Sequence, residues 1–192
     1  MPVQKECRSR YRTQTRETDK IMSESNRTPC VRTALPSDAE AVIKMAEELA
    51  AAVDDPAPGL DAQGFMRDGF GPHRWFECLV AEIEGEPVGF ATICRCFEAH
   101  TAKRRLWLGD LYVRAAARRR GAARALMCAV ASRALDLDCD AVYWELWRPN
   151  TLGRTFYERL GADDADELNV MRLCGSGLSK IAEEVGPHGR AR

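Results

Sequence analysis

The sequence predicts a mixed α/β domain, and three observations carry that prediction. Short apolar runs of strand composition recur at residues 31–35, 78–83, 88–97, 105–113, 141–147 and 170–174. Between them lie stretches whose apolar residues repeat at helical spacing. The chain of 192 residues has room for one domain with a sizeable core and hardly for two. The resulting order is β-α-α-β-β-β-α-β-α-β, with no internal repeat.

Composition excludes several classes. Hydrophobic residues make up 45% and charged residues 30%, which fits neither a mainly disordered nor a fibrous chain. Lys and Arg number 28 against 29 Asp and Glu, for a formal net charge of -1, so bulk charge points to neither nucleic acid nor a membrane surface. No apolar run approaches the ~20 residues of a membrane span, and the start lacks a signal-peptide layout; a cytoplasmic protein is expected. The eight cysteines are scattered without CxxC spacing and read as buried free thiols. Cys94 and Cys96 share one face of a strand, with only His73, His100 and His188 to join them, so no metal site is expected.

Taken in order, residues 1–28 are polar and rich in Arg, Ser, Thr and Glu, and read as a disordered extension. From Met22 the text MSESNRTPCVRTA reads like an ordinary protein start, and the expectation is that the first 21 residues are an over-extended reading frame. The domain is expected over 29–174 and a C-terminal tail over 175–192. After the first strand, Pro36 and a capping box of Ser37 and Glu40 open a helix whose stripe is Val42, Met45, Ala46, Leu49 and Val53. DDPAPG breaks it, and a short second helix over 61–67 precedes the glycines of DGFG. The two runs around Glu84-Gly85-Glu86 form a hairpin, and the run over 105–113 completes a meander. A helix over 121–135 buries Ala123, Leu126, Met127, Val130 and Ala134. A strand over 141–147 follows, then a helix over 150–160 with Asn150 as N-cap and Gly161 as terminator, then a last strand over 170–174.

The chemistry concentrates in LWLGDLYVRAAARRRGAARAL, residues 106–126. There a strand runs through Arg118, Arg119 and Arg120 into Gly121, Ala122 and Ala123 and straight on into an amphipathic helix. Unpaired amides and a positive dipole end make such a junction an anion site. Small residues allow close approach, and Arg124 adds a fourth cation. The segment is neither a Walker loop nor a dinucleotide fingerprint, since it lacks the Lys-Ser/Thr pair and the glycine triplet.

Arg118, Gly121 and Ala123 match Gln/Arg-x-x-Gly-x-Gly/Ala, and the segment resembles the acetyl-CoA loop of the GNAT superfamily of N-acetyltransferases. Within it, DGFGPHRWFECLVAEI (68–83), LGDLYV (108–113) with the loop, and PNTLGRTFYERLGA (149–162) are similar to diamine acetyltransferases of the spermidine/spermine and thialysine type. The likeness spans about residues 30–174 and implies a mixed, mainly antiparallel central sheet of six to seven strands flanked by about four helices. It also implies acetyl-CoA as co-substrate without a metal, a small-molecule amine acceptor, and a homodimer in which residues 178–185 act as the contact arm.

By resemblance, Leu111, Tyr112 and Val113 offer main-chain groups to the pantetheine arm. Residues 119–124 hold the phosphates, and Asn150, Thr151, Leu152 and Gly153 line the cofactor. Tyr157 matches the general acid that protonates the departing thiolate. Helical geometry agrees, since Leu152, Phe156 and Leu160 form the apolar stripe, Tyr157 is turned about 100° from Phe156, and Gly153 leaves space one turn below. The resembled enzymes carry Glu-Asp ahead of the cofactor tripeptide, whereas this chain has Gly109 and Asp110. Asp110, or Glu145 on the adjacent expected strand through a water, remains to take the amine proton. Asp54 and Asp55 could attract a cationic amine or simply form a turn. Trp75, Phe76, Tyr143 and Trp144 could line the acceptor or pack in the core. The expected reaction is acetyl transfer to a primary amine of a small cationic molecule. The alternatives are acetylation of a protein N-terminus or lysine, or a non-catalytic acyl-CoA-binding module.

Overall fold

The computed structural model of the chain describes residues 28–55, 59–165 and 170–184. They divide between Glu145 and Leu146 into two compact units. The expected extension over 1–28, Thr28 excepted, and the start at Met22 lie outside the described residues.

In the first unit, strands β1 (Cys30–Thr33), β2 (Glu77–Ile83), β3 (Glu86–Glu98), β4 (Lys103–Val113) and β5 (Ala141–Tyr143) form one sheet in sequence order. β1 to β4 pair antiparallel. β4 and β5 are parallel, because helix α3 (Ala122–Asp136) carries the chain back between them. The β2–β3 turn is as expected: Glu84 and Gly85 have φ of 58° and 82°, the pair of left-handed residues that suits a two-residue hairpin.

Strand alternation gives the sheet two buried faces. Leu79, Ala81, Ile83, Ala91, Ile93, Leu106, Leu108 and Val113 pack with Ala122, Leu126, Val130 and Ala134 of α3. The expected α3 stripe holds, with Ala123 and Met127 at its half-buried margin. On the opposite face Cys78, Val80, Phe90 and Tyr112 pack with Val42 and Met45 of α1 (Ala39–Ala52) and Phe65 of α2 (Ala62–Phe70). Phe65 is fully buried, its ring 5.4 Å from that of Phe70 and 5.9 Å from that of Phe76. Burial of one such side chain contributes about 1.5–3 kcal/mol.

Helix α1 begins differently from expectation. A 3-10 turn over Pro36–Asp38 precedes it, and the Ser37–Glu40 capping box gives way to Asp38. Asp38 is the one buried charged side chain among the described residues. Its carboxylate accepts from the Arg32 guanidinium at 2.7 and 2.9 Å and from the Leu35 amide at 2.6 Å, so β1 is tied to the helix start. Arg32, which also donates to Glu82, holds the Asp38 carboxyl below the usual carboxylate range against the opposing effect of burial.

Two strand expectations are corrected. β5 stops at Tyr143, because it pairs only with Arg105–Trp107 and a turn closed by the Asn150 amide on the Trp147 carbonyl, 2.8 Å, follows soon after. Residues 170–174 make no strand: Val170, Met171 and Leu173 are exposed, and an apolar run without a buried face or a partner edge has nothing to hold it extended. Among the described residues the sheet therefore has five strands, with five α-helices. The cysteines are mostly not buried either. All seven described are free, but only Cys78 is buried, while Cys30, Cys96, Cys128 and Cys174 are exposed. No described helix is long and apolar enough to cross a membrane.

The second unit holds α4 (Thr151–Glu158) and α5 (Gly175–Glu184). Asn150 caps α4 as expected, its side-chain oxygen accepting from the Gly153 amide at 2.8 Å. Gly161, with φ of 89°, ends it: the Gly161 amide donates to Glu158 and the Ala162 amide to Tyr157, at 3.0 and 3.1 Å. This is the two-bond C-terminal motif that a left-handed glycine permits.

Candidate active site

β4 is paired on both sides only as far as Trp107 among the described strands, because β5 ends there. The Arg114 amide donates to the Val88 carbonyl at 2.9 Å. Antiparallel pairs alternate, so Tyr112 turns its peptide groups toward β3, and Leu111 and Val113 turn theirs to the open edge. Leu111 and Val113 are two of the three residues expected to offer main-chain groups to a pantetheine arm; the third, Tyr112, turns its own to β3 instead.

From Val113 the chain passes through a 3-10 turn (Ala115–Ala117) into Arg118–Gly121 and α3. Arg119 and Gly121 both adopt left-handed backbone, φ 65° and 89°, and Gly121 is the N-cap of α3. The first helical bond runs from the Ala125 amide to the Gly121 carbonyl at 2.9 Å, which leaves the amides of Ala122, Ala123 and Arg124 ahead of it. Left-handed residues beside a helix start form a concave set of amides suited to an anion, and Arg119, Arg120 and Arg124 are exposed around it. Arg118 behaves differently from its neighbours. Its Nε donates to the Val113 carbonyl at 3.1 Å and its guanidinium lies 5.8 Å from the Tyr112 ring, so it ties the loop back to β4. The Tyr112 hydroxyl donates to Glu48 at 3.3 Å, which adds α1 to the same tie.

The second feature is a β-bulge. Thr92 pairs with Asp110 and Ile93 with Leu108, so Gly109 is an extra residue on β4. Before it Leu106 and Leu108 face α3; after it Leu111 and Val113 do. Asp110 consequently lies with Tyr112, Trp107, Thr92 and Cys94 on the opposite face. Burial first, and the Asp110 charge second, push the Cys94 thiol up. The bulge was legible in the spacing of Leu106, Leu108, Leu111 and Val113, an alternation one residue too long, and Thr92 escaped the sequence reading because nothing local marks it.

In the second unit, Tyr157 is half-buried on α4, and burial pushes its phenol above the ordinary tyrosine range. Its ring lies beside that of Phe156, centroids 5.1 Å apart, while the helix sets the two residues about 100° apart around its axis. Leu152 is 82% exposed and no α4 residue is fully buried, which corrects the expected apolar stripe. The space at Gly153 is also taken: a Cβ there would lie 2.5 to 2.9 Å from the Asn150 amide group, so the glycine admits the cap.

Several expected acceptor residues have structural employment. Asp54, with φ of 57°, stands just past α1, and the Asp55 amide returns to the Ala50 carbonyl at 3.0 Å, so this pair ends the helix. Trp144 packs against the α3-side core, away from the face that carries Asp110. Glu145 is exposed and lies beyond β5, since the strand that was to carry it ends two residues earlier. Phe76 belongs to the Phe65 cluster and Trp75 is 77% exposed. Tyr143 is half-buried, with the Arg105 guanidinium 4.8 Å from its ring.

An open-edged strand that feeds an amide cradle at a helix start is an arrangement suited to an anion such as a diphosphate. Residues 44–162 match the family model described as Acetyltransferase (GNAT) family, and the chain belongs to that family as an acetyl-CoA-dependent N-acetyltransferase. It is similar to a thialysine N-epsilon-acetyltransferase of Sus scrofa, 31% identical over 165 residues that cover 79% of this chain and 96% of the relative. It is also similar to L-ornithine N5-acetyltransferase NATA1 of Arabidopsis thaliana, 30% identical over 131 residues, 67% of this chain and 51% of the relative. An integron cassette protein from the mobile metagenome of V. cholerae shares the fold, with a TM-score of 0.69 at 24% identity over 81% of this chain and 98% of that one.

Proposed function

We propose that the chain transfers the acetyl group of acetyl-CoA to a primary amine of a small cationic molecule, a diamine, polyamine or amino-acid-like amine. The observation that carries this reading is the cradle at the end of β4, with Gly121 left-handed and the amides of Ala122, Ala123 and Arg124 ahead of the first helical bond. In this reading those amides, with Arg119, Arg120 and Arg124, hold the diphosphate, and the open edge at Leu111 and Val113 holds the pantetheine. By the family resemblance, Asn150, Thr151, Leu152 and Gly153 of the second unit are also assigned to the cofactor. The names of the thialysine and ornithine relatives support an amino-acid-like amine as acceptor.

An alkylammonium of ordinary pKa near 10.4 must lose its proton at a cost of about 4–5 kcal/mol at pH 7. Asp110, whose carboxylate stands at the bulge, takes that proton. The free nitrogen attacks the thioester carbonyl, forming the C–N bond while a β4 amide stabilises the oxyanion. The C–S bond then breaks as the Tyr157 phenol gives its proton to the sulfur, and the second proton lost by the new amide nitrogen passes through solvent to restore the phenol. Burial supports this role, because it keeps the phenol protonated at neutral pH. Tyr143 borders the acceptor. Homodimerisation is also part of the reading, supported by the exposure of Leu178 and Ile181 on α5.

Calorimetry with acetyl-CoA, followed by thiol release on a panel of diamines, polyamines, diamino acids and peptide N-termini, tests the reading. Turnover fastest on a small diamine or diamino acid is expected. Turnover on peptides alone, or binding with no turnover at all, overturns it.

A further inference from the structure

At the bulge, one hydroxyl does two things. Thr92 Oγ1 lies 2.8 Å from Asp110 Oδ2 and 2.9 Å from the Asp110 amide nitrogen. The carboxylate can only accept and the amide can only donate, so the hydroxyl donates to the first and accepts from the second. It thereby grips both ends of the same residue. Threonine suits this grip, because its branched Cβ leaves few χ1 choices.

The same oxygen also accounts for Gly109. A Cβ built there would lie 2.8 Å from Thr92 Oγ1, closer than such contacts occur. Gly109 is not among the left-handed glycines of the chain, so its backbone does not require glycine. What requires it is the space that Thr92 fills. The glutamate expected at this position from the resemblance and the threonine on β3 are therefore alternatives.

We infer that Thr92 is a positioning residue: it sets the Asp110 carboxylate at the bulge for the incoming amine and, by occupying the room beside position 109, leaves no place there for a second carboxylate. This rests on the proposed amine acetyltransfer. The test uses the full chain, acetyl-CoA and whichever panel amine the wild type turns over fastest.

Thr92→Val keeps the shape and removes both hydrogen bonds, and kcat/KM for the amine is expected to fall about 10- to 100-fold, the scale of bonds to a charged group. KM for acetyl-CoA should stay within about twofold, and Thr92→Ser, which restores the hydroxyl, within about threefold of wild type on the amine. A merely structural threonine would instead lower the melting temperature and both substrates' parameters together, with no rescue by serine. A second pair of variants reads the steric half. Gly109→Ala should lose about tenfold on the amine in the wild-type background and no more than about twofold in Thr92→Ala, a coupling expected only for groups in contact. Wild-type turnover with Thr92→Val unchanged, or with the Gly109→Ala loss equal in both backgrounds, overturns this inference alone. Absence of turnover by the wild type on every amine overturns the functional reading and this one with it.

Discussion

Gly121→Ala is the most informative single change in the loop. The residue has φ of 89° and ψ of -4°, and a Cβ there would meet nothing nearer than a Pro29 carbon at 3.9 Å. Packing therefore adds nothing, and the cost is that of a left-handed alanine, about 1–2 kcal/mol. If the turn holds, the loss appears as stability, about 2–8 °C in melting temperature for a chain of this size. If the turn relaxes instead, the peptide planes beside Gly121 rotate and an amide of the cradle leaves its ligand. Loss of one charge-assisted bond weakens acetyl-CoA by about 10- to 100-fold. Thermal unfolding without ligand and calorimetry with acetyl-CoA separate the two, and Gly121→Asn, which tolerates left-handed backbone, should lie within about threefold of wild type in affinity. A folded Gly121→Ala protein with wild-type melting temperature and wild-type affinity for acetyl-CoA would refute the reasoning.

Tyr157→Phe should lower kcat about 100-fold or more, with acetyl-CoA affinity within about twofold; unchanged turnover would rule out the acid role. Because burial raises the phenol above its ordinary value, kcat should show no loss of the acid below about pH 10 in a rate profile. Asp38→Ala should cost about 2–3 kcal/mol by denaturant unfolding, through the stranded Arg32 guanidinium and the Leu35 amide. The Asp38 carboxyl is depressed on folding, so its contribution is complete above about pH 4 and fades as pH falls through the lower folded value; equal losses at pH 7 and pH 2 would contradict the pairing. Burial first, then the charges of Asp38 and Asp110, push the Cys78 thiol up to about 12. Its stabilising contribution is therefore present below the ordinary thiol range and lost as pH rises toward 12. In native labelling with iodoacetamide at pH 8, Cys96 and Cys128 should react and Cys78 should not, and comparable rates would show that Cys78 is not enclosed.

What could be read in the chain and what could not follow one physical division. Helical stripes such as Val42 and Met45 or Leu126 and Val130, the Glu84-Gly85 turn, the Asn150 cap and the Gly121 junction are set by neighbours within a few residues, and all appear in the structure. The failures depend on partners far away in sequence. Residues 170–174 have strand composition but no burial, and Trp144 and Glu145 lie past the point where β5 loses its partner on β4. Asp54 and Asp55 could attract an amine or form a turn, and the left-handed Asp54 favours the turn. Thr92 and Asp110 lie 18 residues apart, and only strand pairing joins them. For the loop, the arginines are legible as charge, but the inward turn of Arg118 onto Val113 is set by the path of the chain between them.

The unpaired residue at position 109 acts as a half-period phase shift in the strand. Were Gly109 to enter the ladder as an ordinary paired residue, continuous alternation from Leu106 and Leu108 would carry Asp110 and Tyr112 to the side filled by α3, and present Leu111 and Val113 in their stead. Deletion of Gly109 would instead leave Leu106, Leu108, Leu111 and Val113 in unbroken alternation with Asp110 still on its present face, so the polarity of that face depends on the extra residue standing outside the ladder.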